Sequence, residues 1–253
     1  VIAYTPAELM VAAAAREIRN GETVFVGMRL PLIAFHLAKH THAPHAVGIF
    51  EAGLVRDAPA PELLYTMGDP PNVVGASWAT GLPEVMGYLQ RGDVDLGFIG
   101  GAEIDVYGNL NTSRIGPAAA PRVKLPGSGG AADIASLARR FVVIMEHERR
   151  RLPQRVGYIT SPGYGDSATW RQEVGLPGGG PVALITTRAV FAFHDGRAVL
   201  RSYHPFSSLE EIREQTGWQV EVDPALAPTP EPTAEELAII RAYDPQGFWT
   251  GAP

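Results

Sequence analysis

The 253-residue chain is long enough for one large core or two smaller ones. Hydrophobic residues at 45% and charged residues at 19% make it globular, and a net charge of −6 gives no general attraction to nucleic acid. With no cysteine, disulfides, thiolate catalysis and cysteine metal sites are excluded, and only Lys39 and Lys124 could form a Schiff base.

In chain order, Thr5-Pro6-Ala7-Glu8 opens a helix predicted to run to about Asn20, where Gly21 stops it. Thr23 to Val26 reads as a buried strand, Pro31 to Lys39 as a helix, and Ala46 to Phe50 as a second strand that delivers Glu51. Residues 55–77, rich in proline and glycine, read as an irregular excursion. A helix is predicted over Leu82 to Gln90 and a buried strand over Val94 to Ile99. The densest polar segment follows, Gly100 to Ser113, with turn chemistry at Tyr107-Gly108-Asn109.

The loop Gly127-Ser128-Gly129-Gly130 leads into a helix of about Ala131 to Arg139 and then the strand Phe141 to Met145. Val182 to Ile185 and Val190 to Phe193 are strands, and Asp195-Gly196 is a hairpin turn into Ala198 to Leu200. Capping boxes at Ser208/Glu211 and Thr233/Glu236 start two helices. The stretch Pro224 to Pro232 reads as a connector to the last helix, a C-terminal extension at about 233–243 that could pack on a neighbour. The expected architecture is α/β: one domain, 1–253, with an open, mostly parallel sheet, flanking helices and a hairpin in its C-terminal part. No apolar run matches a membrane span and the N-terminus lacks a signal-peptide pattern, so a cytoplasmic protein is expected.

Several stretches could carry chemistry. Glu51 ends an apolar strand, and Gly53 beyond it permits a sharp turn; alone, this is also what a solvated strand end looks like. The loop Gly127 to Ala132 fits the dinucleotide fingerprint G-x-G-x-x-A, but the segment before it, Arg122 to Pro126, makes a poor central strand. Its backbone N–H groups could instead hold an oxyanion or a phosphate, and a tight turn accounts for the glycines equally well. His40, His42 and His45 read as polar loop residues rather than zinc ligands. In Glu146-His147-Glu148, strand alternation separates the histidine from the glutamates, and Arg149-Arg150-Arg151 reads as a solvated or partner-facing patch. No metal site is expected. A G-x-S-x-G elbow is absent, which leaves a serine hydrolase with little support.

Together, Leu30-Pro31-Leu32-Ile33, Glu51-Ala52-Gly53-Leu54, Phe98 to Ser113, Gly127 to Ala131, Glu146 to Arg150, Thr160-Ser161-Pro162-Gly163 and Gly175-Leu176-Pro177-Gly178 resemble the class I CoA-transferase family, specifically β subunits of the glutaconate CoA-transferase type. The resemblance spans nearly the whole chain. It implies a site shared with a homologous α subunit in a hetero-oligomer, acting on an acyl-CoA and a small dicarboxylic acid. It also implies Glu51 as nucleophile, a glutamyl-CoA thioester, and oxyanion donation by the backbone of Gly129 and Gly130. Gly53, Gly101, Glu103, Gly127 and Ser128 would line the substrate or CoA, with CoA as substrate and no permanently bound cofactor. Ala52 stands where relatives carry serine or asparagine, and Glu103 where they often have glutamine; the latter acid could alter substrate charge preference or pair with an arginine. Alternatives on the same scaffold are a CoA-thioester hydrolase, a decarboxylase or other lyase, and a non-catalytic subunit that binds CoA or a nucleotide.

Overall fold

A computed structural model describes residues 3–251, and these fall into two compact units: those up to Phe98 together with those from Pro230 on, and Ile99–Thr229. Among the described residues no helix is long and apolar enough to cross a membrane.

The first unit opens with α1 (Pro6–Ala15), capped as its sequence requires: Thr5 Oγ1 accepts from the Glu8 N–H at 3.1 Å and the Glu8 carboxylate accepts from the Thr5 N–H at 2.8 Å. It stops short of Asn20, because the N–H groups of Glu17 and Ile18 turn back to the carbonyls of Ala14 and Ala15 in tight i→i+3 bonds. Then follow β1 (Thr23–Phe25), α2 (Leu30–His40), β2 (Val47–Phe50), β3 (Leu54–Arg56), α3 (Pro70–Val73), β4 (Trp78–Ala79), α4 (Leu82–Arg91) and β5 (Leu96–Ile99). Strand order is β5-β1-β2-β3-β4, parallel across β5, β1 and β2 and antiparallel from β2 to β4. The parallel strands carry Val24, Phe25, Ile49, Phe50, Leu96 and Phe98, all buried, as expected of strands covered on both faces.

The predicted excursion is more ordered than its composition suggests. β3 runs into its start, and the buried Arg56 side chain donates to the carbonyls of Ala58, Pro59, Asn72 and Val74, tying both ends of the segment together. Strands of two or three residues have no readable periodicity, so this order leaves no trace in the sequence pattern.

The second unit contains β6 (Glu103–Ile104), β7 (Leu110–Asn111), β8 (Arg114–Ile115), β9 (Val123–Lys124), α5 (Ala131–Leu137), β10 (Arg140–Met145), α6 (Trp170–Glu173), β11 (Pro181–Thr186), β12 (Ala189–His194), β13 (Arg197–Tyr203), α7 (Leu209–Glu214) and β14 (Glu221–Pro228). Its main strands run β14-β13-β12-β11-β10, while β6/β7 and β8/β9 form separate ribbons. Asp195 (φ 49°) and Gly196 (φ 74°) make the predicted two-residue turn. The Pro224 to Pro232 stretch is not simply a connector: its first half belongs to β14, parallel to β13 after a crossover through α7. Proline is tolerated there because β14 is an edge strand.

The tail returns to the first unit as α8 (Ala234–Tyr243), which packs on α1 and α2. Arg241 pairs with the buried Glu8 at 2.7 Å, Arg16 with Glu236 at 2.9 Å, and the Tyr243 ring stacks on His36 at 3.7 Å. Burial, with His40 alongside, pushes the His36 pKa down to about 3.

Candidate functional site

β2 and β3 are joined by a three-residue turn, Glu51-Ala52-Gly53, closed by the Gly53 N–H donating to the Phe50 carbonyl at 2.9 Å. Glu51 sits half-buried at its start and Ala52 is exposed. Gly53 has φ +96°, and a Cβ there would lie 2.3 Å from the Thr80 carbonyl oxygen, so no other residue fits without displacing the turn. Its own carbonyl accepts from the Thr80 N–H at 2.8 Å, which fastens the turn to β4. The local shape of the turn is thus set by backbone hydrogen bonds and by Gly53.

β1 runs parallel to β2, so the residues after it emerge at the same carboxyl edge as Glu51, the edge where open α/β sheets place ligands. The loop Gly27-Met28-Arg29 is pinned at both ends. A Cβ on Gly27 would meet the Phe98 carbonyl oxygen at 2.7 Å, and Leu30-Pro31 immediately begins α2. Arg29 is consequently held at φ 68°, ψ −122°, a glycine-like conformation that costs another residue on the order of 1–3 kcal/mol. Sequence reasoning missed this residue, since nothing in the string Met28-Arg29-Leu30 signals the backbone conformation.

In the second unit, Gly100 to Ser113 is mostly construction. The buried Asp105 carboxylate accepts from the N–H groups of Tyr107, Asn109 and Val156 and from the Asn109 amide. Burial pushes its pKa up, against the downward pull of those donors. Asn109 in turn accepts from the N–H groups of Gly163 and Gly165. Gly101 is packed so closely that a Cβ would lie 2.5 Å from a Leu110 methyl. Glu103, half-buried on β6, accepts from the Asn111 amide at 2.7 Å. It does line a cavity of about 600 Å³ together with Arg122, Arg150 and Arg151.

The glycine loop is tethered to this segment: Leu125 N–H donates to the Ser113 carbonyl and Gly127 N–H to the Thr112 carbonyl, at 3.0 and 2.8 Å. Ser128 accepts from the Ala131 N–H, Gly129 is exposed at φ +50°, and Gly130 is the buried residue that caps α5. The strand before it, β9, is an exposed two-residue ribbon rather than the central strand a dinucleotide fold needs, which removes the support for the G-x-G-x-x-A reading. The predicted residues thus fall into two groups, Glu51 with Gly53 in the first unit and Gly101, Glu103 and Gly127 to Gly130 in the second.

The other polar stretches have structural duties. His42 Nε2 lies 3.0 and 3.1 Å from the carbonyls of Ala15 and Ile18 at the end of α1, and His40 bonds to the His36 carbonyl. Lys39 is buried and donates to the carbonyls of Pro44 and Ala46, its pKa lowered by burial. His147 points inward to Thr186 and Thr216, with burial pushing its pKa down to about 4, while Glu148 faces outward and pairs with Arg150 and Arg151. The Thr160 to Gly163 and Gly175 to Gly178 motifs meet at the buried Arg171, which donates to the carbonyls of Pro162, Gly163, Gly178 and Ala135. Sequence reasoning passed over Arg171, which lies outside both motifs. Among the described residues no group of three or more His, Asp or Glu is arranged to hold a metal.

Comparison with known proteins places this geometry. The family model described as Coenzyme A transferase matches residues 7–215. The chain is 37% identical over 245 residues to the B-type subunit of 3-oxoadipate CoA-transferase from Pseudomonas knackmussii, covering 96% of this chain and 94% of that one. It is 36% identical over 252 residues to the B-type subunit of glutaconate CoA-transferase from Acidaminococcus fermentans, covering 96% and 93%. The crystal structure of glutaconate coenzyme A-transferase from that organism superposes with a TM-score of 0.91 over 99% of this chain and 98% of that one, at 32% identity. The decarboxylase AibA/AibB superposes with a TM-score of 0.85 at 33% identity, covering 99% and 100%. The match runs through both units, and the chain belongs to the coenzyme A transferase family as a B-type subunit.

Proposed function

We propose that this chain, with a homologous α subunit, moves CoA from an acyl-CoA to a small dicarboxylic acid through a glutamyl-CoA thioester on Glu51. The observation that carries the reading is the placement of Glu51: a carboxylate at the carboxyl edge of a parallel strand, in a turn whose shape depends on Gly53. The two relatives named as transferase subunits, of 3-oxoadipate and glutaconate, suggest dicarboxylic chemistry.

A carboxylate is ionised at neutral pH without a general base, and its acyl adducts transfer again readily. Glu51 attacks the thioester carbonyl; the carbon–sulfur bond breaks and CoA leaves as thiolate, giving a mixed anhydride. The thiolate then attacks the glutamyl carbonyl of that anhydride, releasing the donor acid and leaving glutamyl-CoA. The acceptor carboxylate repeats the sequence in reverse, takes the CoA and restores Glu51. Backbone N–H groups of Gly129 and Gly130 are assigned to the oxyanion of each tetrahedral intermediate, since glycine lets backbone approach closely. Binding of the remote CoA moiety would drive these steps as well as hold the substrate.

The likeness to AibA/AibB raises decarboxylation as the second reading.

The test is copurification with the α chain, followed by acyl-CoA and borohydride. Reduction should trap one peptide, the one containing Glu51, and Glu51→Ala should lower transfer by at least about a thousandfold. Trapping elsewhere, or turnover that needs no acceptor acid, would sink the mechanism.

A further inference from the structure

Among the described residues only Arg29 and Asp195 are non-glycines with positive φ. Asp195 is explained by its hairpin turn, where aspartate before glycine is favoured. Arg29 has no such explanation: glycine would serve the backbone better, and the loop's pinned ends keep the conformation in place. Strain of this kind persists where the surroundings over-determine it, and it concentrates at ligand-binding sites.

The side chain has a matching environment. Arg29 is exposed, and its guanidinium lies 5.3 Å from the centre of the Trp249 ring. It makes no ion pair or side-chain hydrogen bond among the described residues, in contrast to the buried Arg56 of the same unit, whose donors are taken up by carbonyls. The Trp249 indole N–H donates to the Leu64 carbonyl at 3.0 Å, and four residues on, Gly68 abuts Ala52 of the Glu51 turn, 3.6 Å from the place a Cβ would occupy. A cation braced on an aromatic face therefore stands on the sheet edge that carries Glu51, joined to its turn through one short loop.

We propose that Arg29 is the anion receptor of the Glu51 site, taking a carboxylate or phosphate group of the molecule that reaches the glutamate. A guanidinium suits either anion through paired N–H donors. The proposal rests on the transferase reading for the role of Glu51 but not for the binding itself.

The experiment is titration calorimetry on the assembled enzyme with glutarate, valerate, CoA and pantetheine, for the wild type, Arg29→Gly and Arg29→Lys, alongside thermal unfolding. Arg29→Gly should raise the unfolding midpoint, because the backbone relaxes, and weaken the anion-bearing ligand at least tenfold. Loss confined to glutarate, with valerate unchanged, assigns the anion to the second carboxylate; loss confined to CoA, with pantetheine unchanged, assigns it to the phosphates. Arg29→Lys should recover part of the affinity. The proposal falls if Arg29→Gly leaves all four affinities within twofold, if the wild type binds none of the four, or if the glycine variant fails to assemble, which would make Arg29 an interface residue. A wild type that binds in an Arg29-dependent way yet transfers no CoA would overturn the transferase reading and leave this one standing.

Discussion

The turn at Glu51 and the segment from Gly100 to Ser113 both bring acidic residues to the ends of buried strands, but they use them in opposite ways. In the turn, the closing hydrogen bonds run between backbone groups, and Gly53 supplies a conformation that no other residue fits. In the segment, the carboxylate is the structure: Asp105 gathers three backbone N–H groups and an amide, and Asn109 extends the network to Gly163 and Gly165. A dense run of polar residues is thus evidence of construction, whereas the shape of the Glu51 turn is set by backbone and a glycine.

The comparison is broken most directly by removing the structural acid. Asp105→Ala removes the acceptor of three backbone N–H groups and should lower stability by about 3–5 kcal/mol, at about 1–3 kcal/mol for each donor left unsatisfied. Urea unfolding followed by tryptophan fluorescence measures it. A loss under about 1 kcal/mol would mean that water or neighbouring carbonyls replace the carboxylate, and the distinction between the two segments would collapse.

The turn should respond to its glycine. Gly53→Ala forces a methyl toward the Thr80 carbonyl and a non-glycine residue to φ +96°, with an expected cost of about 2–4 kcal/mol. Activity should fall further than stability, at least tenfold under conditions where the protein stays folded, because the turn that relaxes is the one displaying Glu51. Full activity in a folded Gly53→Ala variant would show that turn geometry does not position the glutamate.

How much of this could be read beforehand follows the range of the interactions involved. The three capping boxes, the Asp195-Gly196 turn and the long apolar strands depend on residues within a few positions of one another, and they lie where local pattern places them. β14 does not, because its prolines describe a connector until an edge position excuses them. Nor does the order in residues 55–77, which depends on one arginine reaching carbonyls up to 18 residues away. At the site, Glu51 and Gly53 stand out as a strand end with a turn glycine. Arg29 does not, since its conformation is imposed by Gly27 packed against β5 and by the start of α2.

The smallest effect belongs to Glu103, which stands between the two classes: held by Asn111, yet lining a cavity with three arginines. Glu103→Gln keeps an oxygen for the Asn111 amide, so stability should stay within about 0.5 kcal/mol of the wild type. What changes is charge. Removing one negative group from a solvent-connected cavity alters the energy of a second carboxylate by about 0.5–1 kcal/mol, so the ratio of kcat/KM for glutarate over valerate should rise about two- to fivefold. The rise should shrink at high salt, where such interactions are screened. A ratio that does not move at low salt would place the acceptor outside this cavity, and the polar segment would then be construction throughout, with Glu103 no exception.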